Sequence, residues 1–96
     1  MRTAQQSPRL HLFVCANRRA ADDPLGAGCS AYGDAVYGTL KDEVARRGIL
    51  REVWITRTSC LGLCPKRGAT LAVYPAGKLL LDVEASDAVG LLESAL

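Results

Sequence analysis

Four cysteines in a chain of 96 residues, at positions 15, 29, 60 and 64, constrain this sequence more than any other feature. They are spaced C-x(13)-C and then C-x(3)-C-P, the second pair lying in the stretch Ser59-Cys60-Leu61-Gly62-Leu63-Cys64-Pro65-Lys66-Arg67-Gly68. A chain this short forms one domain with one core, so all four thiols must be accommodated by a single small fold. The opening residues MRTAQQSPRL lack the apolar stretch and small-residue cleavage site of a secretory signal, which predicts a reducing, cytoplasmic setting in which disulfides are disfavoured. The thiols are then available for other chemistry.

The elements around those cysteines can be read from periodicity. Arg9–Val14 alternates Leu10, Leu12 and Val14 with His11 and Phe13, which predicts a strand covered to some extent on both faces. Residues 16–28 hold charges, Pro24 and two glycines, and read as a loop between Cys15 and Cys29. From Ser30 to about Arg47, Val36, Leu40 and Val44 recur every four residues beside Tyr37, and Gly48 follows Arg46 and Arg47 as a helix stop. Leu50–Thr56 is β-branched and aromatic. Ala69–Tyr74 and Lys78–Val83 flank Pro75-Ala76-Gly77 and predict a hairpin. Ser86 is placed to cap a short helix running to Leu96, with Val89, Leu92 and Leu96 as its buried stripe.

The predicted order is therefore β-α-β-β-β-α. A strand, helix and strand require a crossover and a parallel pair, whereas the hairpin is antiparallel, so the fold class is α/β with a mixed four-stranded sheet and two helices. Residues 1–8 are expected to be a flexible N-terminal segment and residues 9–96 the domain. In a parallel β-α-β unit the loops leaving the two strands emerge at one edge of the sheet. Cys15, Cys29, Cys60 and Cys64 all fall in segments at that edge and can converge.

Converging thiols in a reducing compartment serve an iron-sulfur cluster, a structural zinc or dithiol redox chemistry. Zinc knuckles place paired cysteines two to four residues apart, which suits Cys60 and Cys64 but not Cys15 and Cys29. Dithiol catalysis uses C-x-x-C, which is absent. A binuclear iron-sulfur cluster takes four thiolates, with no rule that the two on one iron be close in sequence. Rieske centres need two histidines, and the chain has only His11; the C-x(4)-C-x(2)-C run of plant-type ferredoxins is also absent. Iron-sulfur and zinc both stay open on spacing alone. A binding role is thus the rival to electron transfer: a zinc-stabilised adaptor, or an iron-sulfur sensor or cluster-delivery protein.

The spacing C-x(13)-C with C-x(3)-C-P, a strand before Cys15, a helix after Cys29 and the segment VYPAG after the second pair together resemble the thioredoxin-like 2Fe-2S ferredoxins, over nearly the whole of Leu10 to Leu96. The resemblance implies a reduced thioredoxin-like fold and a 2Fe-2S cluster with Cys15, Cys29, Cys60 and Cys64 as its ligands. It further implies one-electron transfer between redox protein partners, and a homodimer. In NADH dehydrogenase and hydrogenase subunits a helical segment precedes this domain; without it in this sequence, a free-standing carrier is expected.

The remaining features are consistent with such a carrier. No general base, phosphate loop or substrate-pocket signature is present, so no enzyme activity is expected. Hydrophobic residues make up 49% and charged residues 23%, and no apolar run approaches the roughly 18 residues of a membrane helix. The formal charge of +2, with basic residues scattered, gives no reason to expect a nucleic-acid partner. Gly62 is expected to let backbone approach the sulfurs, Pro65 to set the exit from Cys64, and Lys66 and Arg67 to bring positive charge near the site. Arg18, Arg19, Asp22 and Asp23 are candidate docking charges. His11 is read as a packed or surface histidine rather than a ligand, and Trp54 and Tyr37 as core or interface residues.

Overall fold

In the computed structural model, which describes residues 1–18, 29–62, 65 and 67–96, the chain order is β1 (Leu10–Cys15), α1 (Ser30–Arg47), β2 (Val53–Thr58), β3 (Ala69–Tyr74), β4 (Lys78–Val83) and α2 (Ala88–Ala95). The strands form one sheet in the order β2-β1-β3-β4. β1 and β2 are parallel, with Leu10 opposite Val53 and Cys15 opposite Thr58. β3 runs antiparallel to both β1 and β4. The expected mixed sheet and β-α-β-β-β-α order are what the structure has.

Period-two alternation sorts the strand residues into two faces. Leu10, Leu12 and Val14 of β1, Val53 and Ile55 of β2 and Leu71 and Val73 of β3 are buried on the helix side. Against them α1 lays Val36, Leu40 and Val44, all fully buried, spaced one helical turn apart so that they form one stripe. Gly48 ends the helix with φ 69°, its N–H and that of Ile49 bonding the carbonyls of Ala45 and Val44. A left-handed residue is needed there, and glycine adopts that conformation without a Cβ clash. The opposite face of the sheet carries His11, Phe13, Trp54, Tyr74 and Leu79, with Trp54, Tyr74 and Leu79 exposed.

Several expected boundaries shift. β2 covers Val53–Thr58 rather than starting at Leu50, because residues 50–52 are used in the turn that brings the chain off α1, where Glu52 N–H bonds the Ile49 carbonyl and Leu50 is half exposed. The C-terminal helix is not capped by Ser86. Glu84 and Asp87 instead form a reciprocal capping box around the short 3-10 turn Ala85–Asp87, with Glu84 N–H donating to Asp87 Oδ2 at 2.9 Å. That entry rotates the helix, so its buried positions are Ala88 and Leu92, while Val89 and Leu96 are 38% and 41% exposed.

The far end of α1 is tied to α2 by charge. Glu43 accepts from Arg47 Nε at 2.8 Å and from Arg46 on its own helix, and Arg47 Nη2 reaches across to Glu93 of α2 at 2.9 Å. Arg47 above all, and then Arg46, hold the Glu43 carboxyl below its ordinary value of 4.5. A carboxyl with a depressed folded-state pKa binds its proton later than the unfolded chain does. Its contribution is therefore complete above about pH 4.5 and disappears as pH falls through the folded-state value. Denaturant midpoints measured from pH 7 downward should show wild type more stable than Glu43→Gln at neutral pH. The gap should close below pH 4.5.

Candidate metal centre

Cys15 is the last residue of β1 and Cys29 the residue before α1; both are buried, at 0% and 1% exposure. Gly33, in the first turn of α1, is where the helix that follows Cys29 packs on the Cys15 end of β1. Its N–H donates to the Cys29 carbonyl at 2.6 Å. A Cβ at Gly33 would collide with the Cys15 carbonyl oxygen, standing 2.9 Å from the Cys15 carbonyl carbon and 3.0 Å from Ala16 Cα. Glycine inside a helix costs about 1 kcal/mol relative to alanine, and here it lets the start of α1 sit directly on the end of β1.

Next to it, Asp34 links three cysteine-bearing segments. Its carboxylate pairs with Arg57 at 3.2 Å and Arg18 at 3.7 Å. Arg18 follows Cys15 in the chain, Arg57 is the penultimate residue of β2, three residues before Cys60, and Asp34 itself lies five residues after Cys29. The Arg57 guanidinium also lies over the Tyr37 ring, 4.7 Å from its centroid. These pairs are solvent-exposed, so they orient segments rather than stabilise the fold appreciably.

Cys60 is exposed in the loop after β2. Gly62 takes φ 92° and aims its N–H at Cys60 Sγ, 3.3 Å away, the close backbone approach that the glycine was expected to allow. Beyond the second cysteine, Gly68 (φ 79°) abuts β4 so tightly that a Cβ would lie 2.7 Å from Asp82 Cα and 2.9 Å from Val83 N. Arg67 pairs with Glu84 at 3.5 Å. The far end of the cysteine loop is thereby seated on β4, and the positive charge of Arg67 is shared with a neighbouring carboxylate.

Thr58 completes this end of the sheet. It lies opposite Cys15 in the parallel register, hence on the same face, and its Oγ1 is buried with no hydrogen-bond partner among the described residues. Buried hydroxyls are ordinarily satisfied, so an orphan beside a candidate ligand marks a place where an acceptor belongs.

Of the four candidate ligands, Cys15 lies at the strand end on which the first turn of α1 packs, and Cys29 precedes that turn. Among the described residues no three His, Cys, Asp or Glu side chains gather closely enough to hold a metal ion. Cys64 and Lys66 lie outside the described residues, as do Arg19, Asp22 and Asp23. His11 stands on the outer face, stacked on Phe13 at 3.9 Å and sharing a hydrogen bond between Nε2 and Thr56 Oγ1 at 2.8 Å. Its partial burial holds its pKa below 6.5. Trp54 meets the His11 ring edge-on, and Tyr37 packs on the core.

A curated ferredoxin, 2Fe-2S, from Clostridium pasteurianum is 31% identical to this chain over 88 residues, covering 92% of the chain and 85% of the relative. The chain belongs to the thioredoxin-like 2Fe-2S ferredoxin family. Its fold agrees: the crystal structure of the thioredoxin-like [2Fe-2S] ferredoxin from Aquifex aeolicus superposes with a TM-score of 0.80 at 24% identity, covering 92% of this chain and 85% of that one. A cysteine-to-serine variant of that ferredoxin superposes with a TM-score of 0.79, again at 24% identity. No established family profile matches the chain.

The residues present fit the group that names the family. Buried thiols, a backbone N–H directed at a cysteine sulfur and an orphaned hydroxyl are a donor set for a soft, anionic iron-sulfur unit, whose sulfurs accept such hydrogen bonds. Gly33, Asp34 and Thr58 escape notice in the sequence. The Gly33 signal was available, since a glycine early in a helical pattern is a flag for close packing. Thr58 had none, because only the strand register places it beside Cys15.

Proposed function

We propose that this ferredoxin is a one-electron carrier holding a single 2Fe-2S cluster through Cys15, Cys29, Cys60 and Cys64, within a domain formed by residues 9–96. The observation that supports the ligand assignment is the close packing of the first turn of α1, which follows Cys29, on the Cys15 carbonyl at Gly33, at the sheet edge from which the Cys60 loop also leaves. When bound, the cluster accepts and returns one electron.

The chain's own part is to hold the thiolates and to moderate charge. With four thiolates the unit carries about −2 when oxidised and about −3 when reduced, so every donor directed at it favours the reduced form. Gly62 N–H is such a donor. The α1 N-terminus, with no acidic residue in its first turn, turns its positive end toward Cys29. Electrons leave most readily at the exposed end, where Cys60 lies, and redox proteins are the partners expected to dock there.

We further assign the protein to the cytoplasm, where thiols stay reduced, and a second copy of the chain to the outer sheet face. That face presents Phe13, Trp54, Tyr74 and Leu79 without a formal charge, so two copies can meet on it without like-charge repulsion. No helix among the described residues is long and apolar enough to cross a membrane.

Reductive titration of the anaerobic protein tests the function. One electron per chain should bleach the visible absorption and produce a spin-one-half paramagnetic signal that disappears on reoxidation. Consumption of two electrons without that signal would identify thiol redox chemistry instead.

A further inference from the structure

Thr58 is the described residue whose buried side-chain oxygen lacks a partner. Three facts locate it. It ends β2, two residues before Cys60. It pairs in register with Cys15, so the two side chains leave the sheet on the same face. Its backbone carbonyl accepts from Ala16 N–H at 2.9 Å, which locks the two strand ends side by side. Thr56, one pleat back on the same face, has its hydroxyl satisfied by His11, so an unmet hydroxyl is not a general property of that face. A hydroxyl withdrawn from water without a partner is destabilising. Such a cost is offset when the missing partner arrives with the bound group.

We propose that the Thr58 hydroxyl donates a hydrogen bond to an inorganic sulfide of the metal centre, the acceptor that the described side chains do not supply, and that Thr58 is thereby a residue that sets the reduction potential. This rests on the ferredoxin reading of the site. The bond strengthens as the unit gains negative charge, so it favours the reduced state over the oxidised one. Thr58 is a tuning residue and not a ligand.

The test replaces Thr58 by Val, which keeps the shape and removes the hydroxyl, and by Ser, which keeps the hydroxyl. Cluster content, reduction potential and the Fe–S stretching frequencies are then measured in H₂O and D₂O on the holoprotein. Thr58→Val is expected to keep the cluster and lower the one-electron reduction equilibrium about three- to tenfold, or roughly 30–60 mV at 59 mV per tenfold. It should also lose a deuterium shift that wild type and Thr58→Ser both show. The metal-free Thr58→Val protein should be at least as stable as wild type, because an orphan has been removed rather than a bond.

A purely structural Thr58 gives a different pattern: lower stability, an unchanged potential and no deuterium shift in wild type, which overturns the proposal. If Thr58→Val fails to load the cluster while Thr58→Ser loads normally, the hydroxyl is needed for assembly and the proposal stands. If both variants fail alike, the hydroxyl is not the operative group and it falls. Wild type without iron and sulfide would instead remove the ferredoxin reading itself, an outcome distinct from a loaded wild type whose Thr58→Val variant is unshifted.

Discussion

Gly33→Ala is expected to strip most of the cluster from the protein, while Gly38→Ala, five residues further along the same helix, leaves it in place. The two substitutions add the same methyl group to the same element and carry the same helix-propensity gain of about 1 kcal/mol. They differ in what the methyl meets. At Gly38 nothing lies within 4 Å of the new Cβ, whereas at Gly33 it collides with the Cys15 carbonyl and comes within 3.0 Å of Ala16 Cα. Those are backbone atoms at the end of a strand paired on both sides, so they cannot swing aside as a side-chain tip would. Either α1 lifts off β1, separating Cys29 from Cys15, or the end of β1 distorts and takes Cys15 with it. Iron per chain and far-ultraviolet circular dichroism should show a several-fold loss of iron in Gly33→Ala, and wild-type iron with a slightly higher melting temperature in Gly38→Ala. Normal loading of Gly33→Ala would mean that the contact between the two cysteine segments does not matter to the centre.

Alanine at any one of Cys15, Cys29, Cys60 or Cys64 should likewise cost most of the cluster and much of the holoprotein's stability, since binding and folding are coupled in a domain this small. Burial separates Cys15 and Cys29 from Cys60 in metal-free protein. Cys15 and Cys29 are fully enclosed, so their truncation leaves small voids and should destabilise the apo form by on the order of 1 kcal/mol. Cys60 is exposed, and Cys60→Ala should leave apo stability unchanged. Measuring both forms of each variant thus distinguishes a lost ligand from a lost core contact. A variant with a normal cluster identifies a residue that is not a ligand.

Much of the fold is legible in the residues because its signals are local. Leu10, Leu12 and Val14 alternate, Val36, Leu40 and Val44 recur at one helical turn, and Gly48 and the Pro75-Ala76-Gly77 turn end their elements sharply. The start of β2 and the phase of α2 are less legible because they depend on tertiary partners. Glu84 and Asp87 satisfy each other more completely than Ser86 could cap alone, and that choice turns Val89 and Leu96 outward. At the metal centre, spacing singles out the thiols. The residues around them are invisible without coordinates: Thr58 acquires meaning only through its register with Cys15, and Asp34 only through two arginines from distant parts of the chain. Charge reading also needs the structure, since Arg67 shares its charge with Glu84 rather than presenting it whole.

Cys15, Cys29, Cys60 and Cys64 are proposed to hold a binuclear iron-sulfur cluster. Metal and acid-labile sulfide analysis of protein made under iron-replete, anaerobic conditions tests it most directly. Two irons and two sulfides per chain, in red-brown protein, are the expected result; colourless protein with stoichiometric zinc and no sulfide would contradict it.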